Sequence, residues 1–110
     1  LKEMLKNNMI LGSHSQNHHI LSFLSFNKAK KEIDVSLDYL DQFTEYRTFC
    51  YPYGSKNSYN DKIKNYLNKK KVSFSVTVTN KNISNDDLIS NRQELSRFDC
   101  NNFRYGKIFK

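Results

Sequence analysis

The chain has 110 residues, which allows one domain with one modest hydrophobic core. A closed (β/α)₈ barrel takes roughly 250 residues and is excluded at this length. The composition is 37% hydrophobic, 26% charged and 14% aromatic, which is typical of a globular protein and too aromatic for a disordered tail. Because no run approaches the roughly 18 apolar residues of a membrane span, we expect no transmembrane segment.

The net charge of +7 lies entirely in the second half of the chain. Residues 1–55 hold six basic and six acidic side chains, whereas residues 56–110 hold twelve and five. Six of these basic residues fall in one segment with apolar residues at helical spacing: Lys56, Lys62, Lys64, Lys69, Lys70 and Lys71, with Tyr59, Ile63, Tyr66 and Leu67. This pattern favours an amphipathic helix with solvated lysines. The alternative is a nucleic-acid patch, but the segment lacks arginines and a glycine-rich loop, so we expect no nucleic-acid partner.

Helical and strand-like segments alternate along the chain. The predicted helices are residues 1–7, a helix from about Lys28 to Phe43 with Asn27 as N-cap, and the basic helix beginning at Ser58 or Asn60. The predicted strands are Met9–His14, Thr48–Tyr51, Lys71–Val78 and Leu95–Phe98, with a polar loop at Asn80–Asp87 before the last. The predicted buried stripe of the second helix is Ile33, Leu37 and Leu40, with Tyr39 as a further candidate.

This order of elements predicts the α/β class, with parallel strands alternating with helices. In such folds ligands and catalytic groups gather where the carboxyl ends of the strands open into loops. Two unusual loops directly follow predicted strands, at Gly12–His19 and at Pro52–Gly54. These two loops are the candidate site.

All three histidines of the chain lie in the first loop, at His14, His18 and His19. Histidine is a common metal ligand, and two imidazoles four residues apart can face the same point from a tight loop. The spacing alone leaves two interpretations open, a metal site or solvent-exposed and capping histidines. A zinc site needs a third protein ligand, and no Asp or Glu lies near this loop in the sequence. That ligand must come from elsewhere in the fold or be missing.

Two short motifs carry a family resemblance. The segment Leu11-Gly-Ser-His14-Ser-Gln-Asn-His18 resembles the H-[ST]-x-x-H metal motif of the polysaccharide deacetylases, the NodB-like esterases of carbohydrate esterase family 4. Tyr51-Pro52-Tyr53-Gly54 resembles their R-x-P-Y-G motif, and the segment 95–99 is a weaker match to the strand that carries a family arginine. Without the histidine loop, Pro-Tyr-Gly would be interpreted as an ordinary turn. Both motifs, in order and each after a strand, indicate this family.

The resemblance implies that the chain is part of a deformed (β/α) barrel of the NodB-like deacetylase type. It also implies metal-dependent removal of an N-acetyl or O-acetyl group from a carbohydrate. By position, His14 and His18 would be ligands of a divalent metal, with Zn²⁺ the expected ion. Ser15 would brace their loop by a hydrogen bond. The metal would polarise the acetyl carbonyl and lower the pKa of the attacking water.

The second motif and the arginine supply the remaining candidate residues. The backbone N–H of Tyr53 would stabilise the tetrahedral oxyanion, and Pro52 and Gly54 would shape its loop. Arg97 would hold a carboxylate in the site, although an ordinary surface arginine fits the sequence equally well. His19 has no family role and is predicted to be exposed.

Residues 1–110 depart from the family pattern at three points. No counterpart of the Asp-Asp segment, which supplies a base and a metal-binding aspartate, precedes Gly12. No histidine follows His19 to supply the general acid of the family's Leu-His segment, and Cys50 replaces the arginine of R-x-P-Y-G. We therefore expect residues 1–110 to be a single partial deacetylase domain that is inactive, or nearly so, by itself.

The primary hypothesis is deacetylation of a sugar in a cell-surface polysaccharide or its precursor, by hydrolysis of a non-peptide carbon–nitrogen bond. The departures leave open a non-catalytic module that keeps the fold and binds a glycan or a partner.

Cys50 and Cys100 allow a disulfide, two free thiols or a buried pair. Because part of a barrel exposes sheet edges, we expect self-association. The asparagine- and lysine-rich composition suggests a bacterium, and with no signal peptide visible at Leu1 the localisation is left open.

Overall fold

The computed structural model describes residues 2–7 and 9–98. The helices are α1 (Lys2–Lys6), α2 (Phe26–Leu40), α3 (Asp61–Lys69) and α4 (Asn85–Ser90), and the strands are β1 (Thr48–Cys50) and β2 (Phe74–Val76). Short 3₁₀ turns lie at Leu21–Phe23, Lys56–Ser58 and Arg92–Glu94. Among these residues, no helix has the length and hydropathy needed to cross a bilayer.

The sheet is parallel, and its segments lie side by side in the same order as they occur along the chain. β1 pairs with β2 with Thr48 opposite Phe74. One isolated parallel bridge joins Ser13 to the outer side of β1, and another joins Leu95 to the outer side of β2. These pairings confirm the α/β class with parallel strands. Four neighbouring segments are compatible with an arc of a barrel but are too few to establish one.

Three of the predicted strands are shorter than expected. In the predicted strand Met9–His14, Ser13 alone pairs with a neighbour among the described residues, and Ile10 is 83% exposed. Lys71–Val78 contributes only Phe74–Val76, and Leu95–Phe98 contributes one bridge at Leu95. An apolar run forms a ladder only where a second strand lies beside it, and in the described chain these segments have few paired positions.

Helix α2 begins earlier than predicted. Ser25, and not Asn27, is its N-cap, because the Ser25 hydroxyl accepts a hydrogen bond from the Lys28 amide at 3.3 Å. The first turn therefore includes Phe26, whose ring packs edge-on against Tyr66 of α3. Of the two predicted starts of α3, Ser58 or Asn60, the structure selects Asn60, whose side chain caps the helix.

Two further expectations are corrected. Tyr39 is 57% exposed and does not belong to the buried stripe, because it lines a groove of about 390 Å³ between α2 and the histidine loop. The predicted loop Asn80–Asp87 contains the start of α4, where Ser84 and Asp87 form a reciprocal capping box.

The core lies between the sheet and two helices. α2 contributes Ile33, Leu37 and Leu40 as predicted, and α3 contributes Ile63 and Leu67. The lysines of α3 lie away from this core, which confirms the amphipathic helix; Lys64 is half-buried between Asp61 and Glu94. Cys50 is a half-buried free thiol, while Cys100 lies outside the described residues.

Candidate active site

The two motif loops leave the same edge of the sheet. Ser13 pairs with Phe49, so the histidine loop and the loop after Cys50 begin on neighbouring parallel segments. Two backbone hydrogen bonds fix this register, from Ser13 N to the Thr48 carbonyl at 2.9 Å and from Cys50 N to the Ser13 carbonyl at 2.8 Å. The rings of His18 and Tyr53 consequently meet edge-on, with 4.8 Å between their centroids.

His14 is oriented by a main-chain group. Its Nδ1 lies 2.6 Å from the carbonyl oxygen of Cys50. A carbonyl can only accept a hydrogen bond, so Nδ1 carries the proton and the neutral ring has a free lone pair on Nε2. This arrangement, with one ring nitrogen held by a carbonyl and the other unprotonated, is typical of a metal-binding histidine.

His18 is held in a strained backbone conformation. Its φ is 58°, and Ser15, three residues earlier, has a φ of 65°. The His18 amide donates a hydrogen bond to Ser15 Oγ at 3.2 Å, which is the bracing that the motif predicts for Ser15. The His18 ring lies edge-on to His14, with 4.6 Å between centroids. Strained non-glycine residues persist where the surroundings over-determine them, and they cluster at functional sites.

The second loop is anchored by a buried tyrosine. The Tyr51 hydroxyl donates to the Gln93 carbonyl at 2.5 Å, and burial raises the pKa of this phenol above its ordinary value of 10.0. Tyr51 therefore stays a protonated donor at neutral pH. Its amide donates to the Val76 carbonyl at 3.2 Å, which ties the start of the loop to β2.

Tyr53 and Gly54 form the turn of this loop. Their φ values are 69° and 74°, and the Gly54 carbonyl accepts from the Val78 amide at 3.0 Å. The Tyr53 ring is 60% exposed. Within the described chain, no carbonyl or side chain accepts from the Tyr53 amide, so this N–H is available to a ligand. Pro52 is buried beneath the turn.

Arg97 lies two residues beyond Leu95, at the same edge of the sheet. It is half-buried, and its Nε is buried without a hydrogen-bond partner within the described residues. The structure does not bring its guanidinium into a hydrogen bond or ion pair with the histidine loop or with Tyr53. Its role as a carboxylate holder stays a prediction.

The residues present fit a metal ion only in part. His14 and His18 supply two imidazoles close enough to share one ion. No group of three His, Cys, Asp or Glu side chains converges anywhere in residues 2–7 and 9–98, so those residues supply no third ligand. His19 is exposed as predicted, and its Nε2 lies 3.7 Å from Glu32 of α2.

A comparison with protein-family models decides the family. The polysaccharide deacetylase model matches residues 1–75 of the chain. This chain belongs to the polysaccharide deacetylase family. The match covers both motif loops, whereas Arg97 lies beyond it. Neither a search of curated proteins nor a search of solved structures gave a match.

Membership in this family connects the chain with hydrolases that act on acetylated carbohydrates. The motifs named the histidines and Tyr53, but they gave no indication of Glu32, which is buried behind the histidine loop of this deacetylase domain. The helical spacing of α2 did indicate that Glu32 is buried. Glu32 lies three residues after Ala29 and beside Ile33, so a charged residue falls on the apolar face of α2.

Proposed function

We propose that this protein acts in the metal-dependent removal of an N-acetyl or O-acetyl group from a sugar of a cell-surface polysaccharide or its precursor. The observation that carries the proposal is the meeting of the two loops at one edge of the sheet, where His18 contacts Tyr53. A metal-ligand loop next to a free backbone donor is the arrangement that acetyl hydrolysis requires.

His14 and His18 would hold the ion, zinc being the proposed metal. A bound zinc would polarise the acetyl carbonyl and lower the pKa of its bound water. The Tyr53 amide would donate to the carbonyl oxygen as it gains negative charge, and removing one such donor costs about 2.7–4 kcal/mol in the transition state. Because this donor is a main-chain group, Tyr53→Phe should change the activity of the complete catalytic domain little.

Two chemical roles have no candidate in the described site. A general base and a general acid are needed for hydrolysis, and no Asp-Asp pair precedes Gly12 in residues 1–110. We therefore propose that residues 1–110 are the central part of the catalytic domain, and that the base, the acid and the third metal ligand lie outside them. Acetate release from N-acetylglucosamine oligomers should be absent, or nearly so, for residues 1–110. Efficient release would contradict this division.

Zinc binding tests the ligand assignment directly. Isothermal titration should show one zinc site that is lost in His14→Ala and in His18→Ala. His19→Ala is the matched control, because this exposed imidazole is the neighbour of a proposed ligand and should not alter affinity. Equal zinc binding by the wild type and the His14→Ala/His18→Ala double variant would refute the assignment.

A non-catalytic glycan-binding module is the second candidate. It is favoured by the half-buried Cys50 thiol at the position of the family's arginine and by the missing third ligand within the described residues. Binding of N-acetylglucosamine oligomers that is unchanged by chelator and by His14→Ala would favour this module over the deacetylase.

A further inference from the structure

Glu32 is the most deeply buried charged side chain in the described part of the chain. It lies in the second turn of α2, and only 7% of its side chain is exposed. Burying a carboxylate is costly unless it is paired or hydrogen-bonded. The partners of Glu32 therefore indicate what the residue holds in place.

The hydrogen-bond partner of Glu32 belongs to the histidine loop. Asn17 Nδ2 lies 3.2 Å from one carboxylate oxygen and 3.3 Å from the other. Asn17 directly precedes His18. The His19 ring lies 3.7 Å from the same carboxylate, which is ion-pair distance for a protonated imidazole but beyond hydrogen-bond distance. The hydrogen bonds from Asn17 thus fasten the loop to α2, and the His19→Ala control below tests whether the His19 contact contributes.

This contact falls between the two strained residues of the loop. Ser15 and His18 both have positive φ, a conformation that non-glycine residues adopt at a cost. Such conformations persist only where the surrounding structure enforces them. Asn17 is the loop residue between them that is anchored to a helix, and that helix is anchored by Ala29 and Ile33 in the core.

We propose that Glu32 is a positioning residue that, through Asn17, holds His18 against His14 and Tyr53. Glu32 touches no ligand itself. Its effect on metal binding rests on the proposed function, whereas its effect on the loop does not. A purely structural role in α2 would predict a loss of global stability with no selective change in the loop.

The closing experiment measures the loop in metal-free protein by NMR. The rings of His18 and Tyr53 are close enough for a nuclear Overhauser effect between them. Asn17→Ala and Glu32→Leu, which removes the acceptor and suits the apolar face of α2, should each weaken this effect while the core signals of Ile33 and its neighbours stay unchanged. The double variant should lose no more than Asn17→Ala alone, because both changes break one contact. His19→Ala is the matched control and should retain the ring contact.

Two outcomes would overturn the proposal. One is a ring contact at wild-type strength in both Asn17→Ala and Glu32→Leu. The other is loss of the contact only together with the core signals, which would assign Glu32 a general stabilising role. Both outcomes are measured in metal-free protein and do not depend on zinc binding.

A zinc titration of the same variants separates this proposal from the proposed function. If the wild type binds zinc, Asn17→Ala and Glu32→Leu should each weaken affinity by about 10–100-fold, as is typical for groups that orient metal ligands. Unchanged affinity in both variants would contradict the positioning role. If the variants lose the ring contact and no form binds zinc, the positioning role stands and the metal assignment fails.

Discussion

Gly54→Ala is the most informative single change in the second loop. Gly54 has a φ of 74°, and an added Cβ would lie 3.0 Å from both the amide nitrogen and Cγ1 of Val78 and 3.2 Å from Cγ2. The alanine would therefore suffer both an unfavourable backbone conformation and a collision. The collision falls on the residue whose amide bonds to the Gly54 carbonyl.

The two costs can be estimated separately. A left-handed conformation costs a non-glycine residue roughly 1–2 kcal/mol, and overpacking typically costs about 1–3 kcal/mol. Together these costs should lower the free energy of unfolding of Gly54→Ala by about 2–5 kcal/mol. The loop should also shift Tyr53, so the ring contact with His18 should weaken.

Urea denaturation of Gly54→Ala, Val78→Ala and the double variant separates the two costs. Val78→Ala removes both Cγ atoms, so it should recover part of the overpacking cost, whereas the backbone strain and the contact with the Val78 amide remain. The double-variant cycle should thus show partial rescue. A loss below about 0.5 kcal/mol for Gly54→Ala, the range of an ordinary surface substitution, would refute the reasoning.

Two further predictions concern stability. Gly12→Ala should destabilise the protein by overpacking, about 1–3 kcal/mol, because its Cβ would lie 2.6 Å from Thr48 Oγ1. Since φ is not positive at Gly12, adding Thr48→Ala should relieve most of that loss in urea denaturation, and no rescue would contradict the steric explanation. The hydrogen bond from Arg47 lowers the pKa of Asp41 below its ordinary 3.8, so this pair stabilises the fold above that pH and the contribution is lost as pH falls below it. Arg47→Gln should therefore reduce the dependence of unfolding free energy on pH in that acid range, and an unchanged acid profile would count against it.

The sequence was enough to predict that the two loops meet, but not which hydrogen bonds hold them in place. The alternation of elements predicted parallel neighbours, and parallel neighbours bring the loops after Ser13 and Cys50 to one edge. The structure confirms this arrangement. The brace by Ser15 was predicted only from the family resemblance, and the structure gives it as a hydrogen bond from the His18 amide to Ser15 Oγ.

The predictions that failed depend on neighbours that local sequence does not reveal. Ser25 and Asn27 are both good capping residues, and the contact of Phe26 with α3 accompanies the earlier helix start. Tyr39 has helical spacing with the core residues but lies beside an open groove. In Met9–His14 the apolar run looked like a full strand, yet only Ser13 has a partner within the described chain.

Glu32 shows a different limit of sequence reasoning. A charged residue on an apolar helix face indicates a buried partner, but its identity depends on how a loop fifteen residues away folds over the helix. The fixed direction of the His14 ring depends on a carbonyl even further away.

The carbonyl that orients His14 has a consequence for variation at position 50. Every residue type carries the same main-chain acceptor, so His14 keeps its orientation whichever side chain follows Phe49. The arginine of the family motif and the cysteine of this chain are equivalent for that purpose. The side chain at position 50, and with it the local charge beside the site, can therefore change without turning the ring of His14, the first of the two proposed metal ligands.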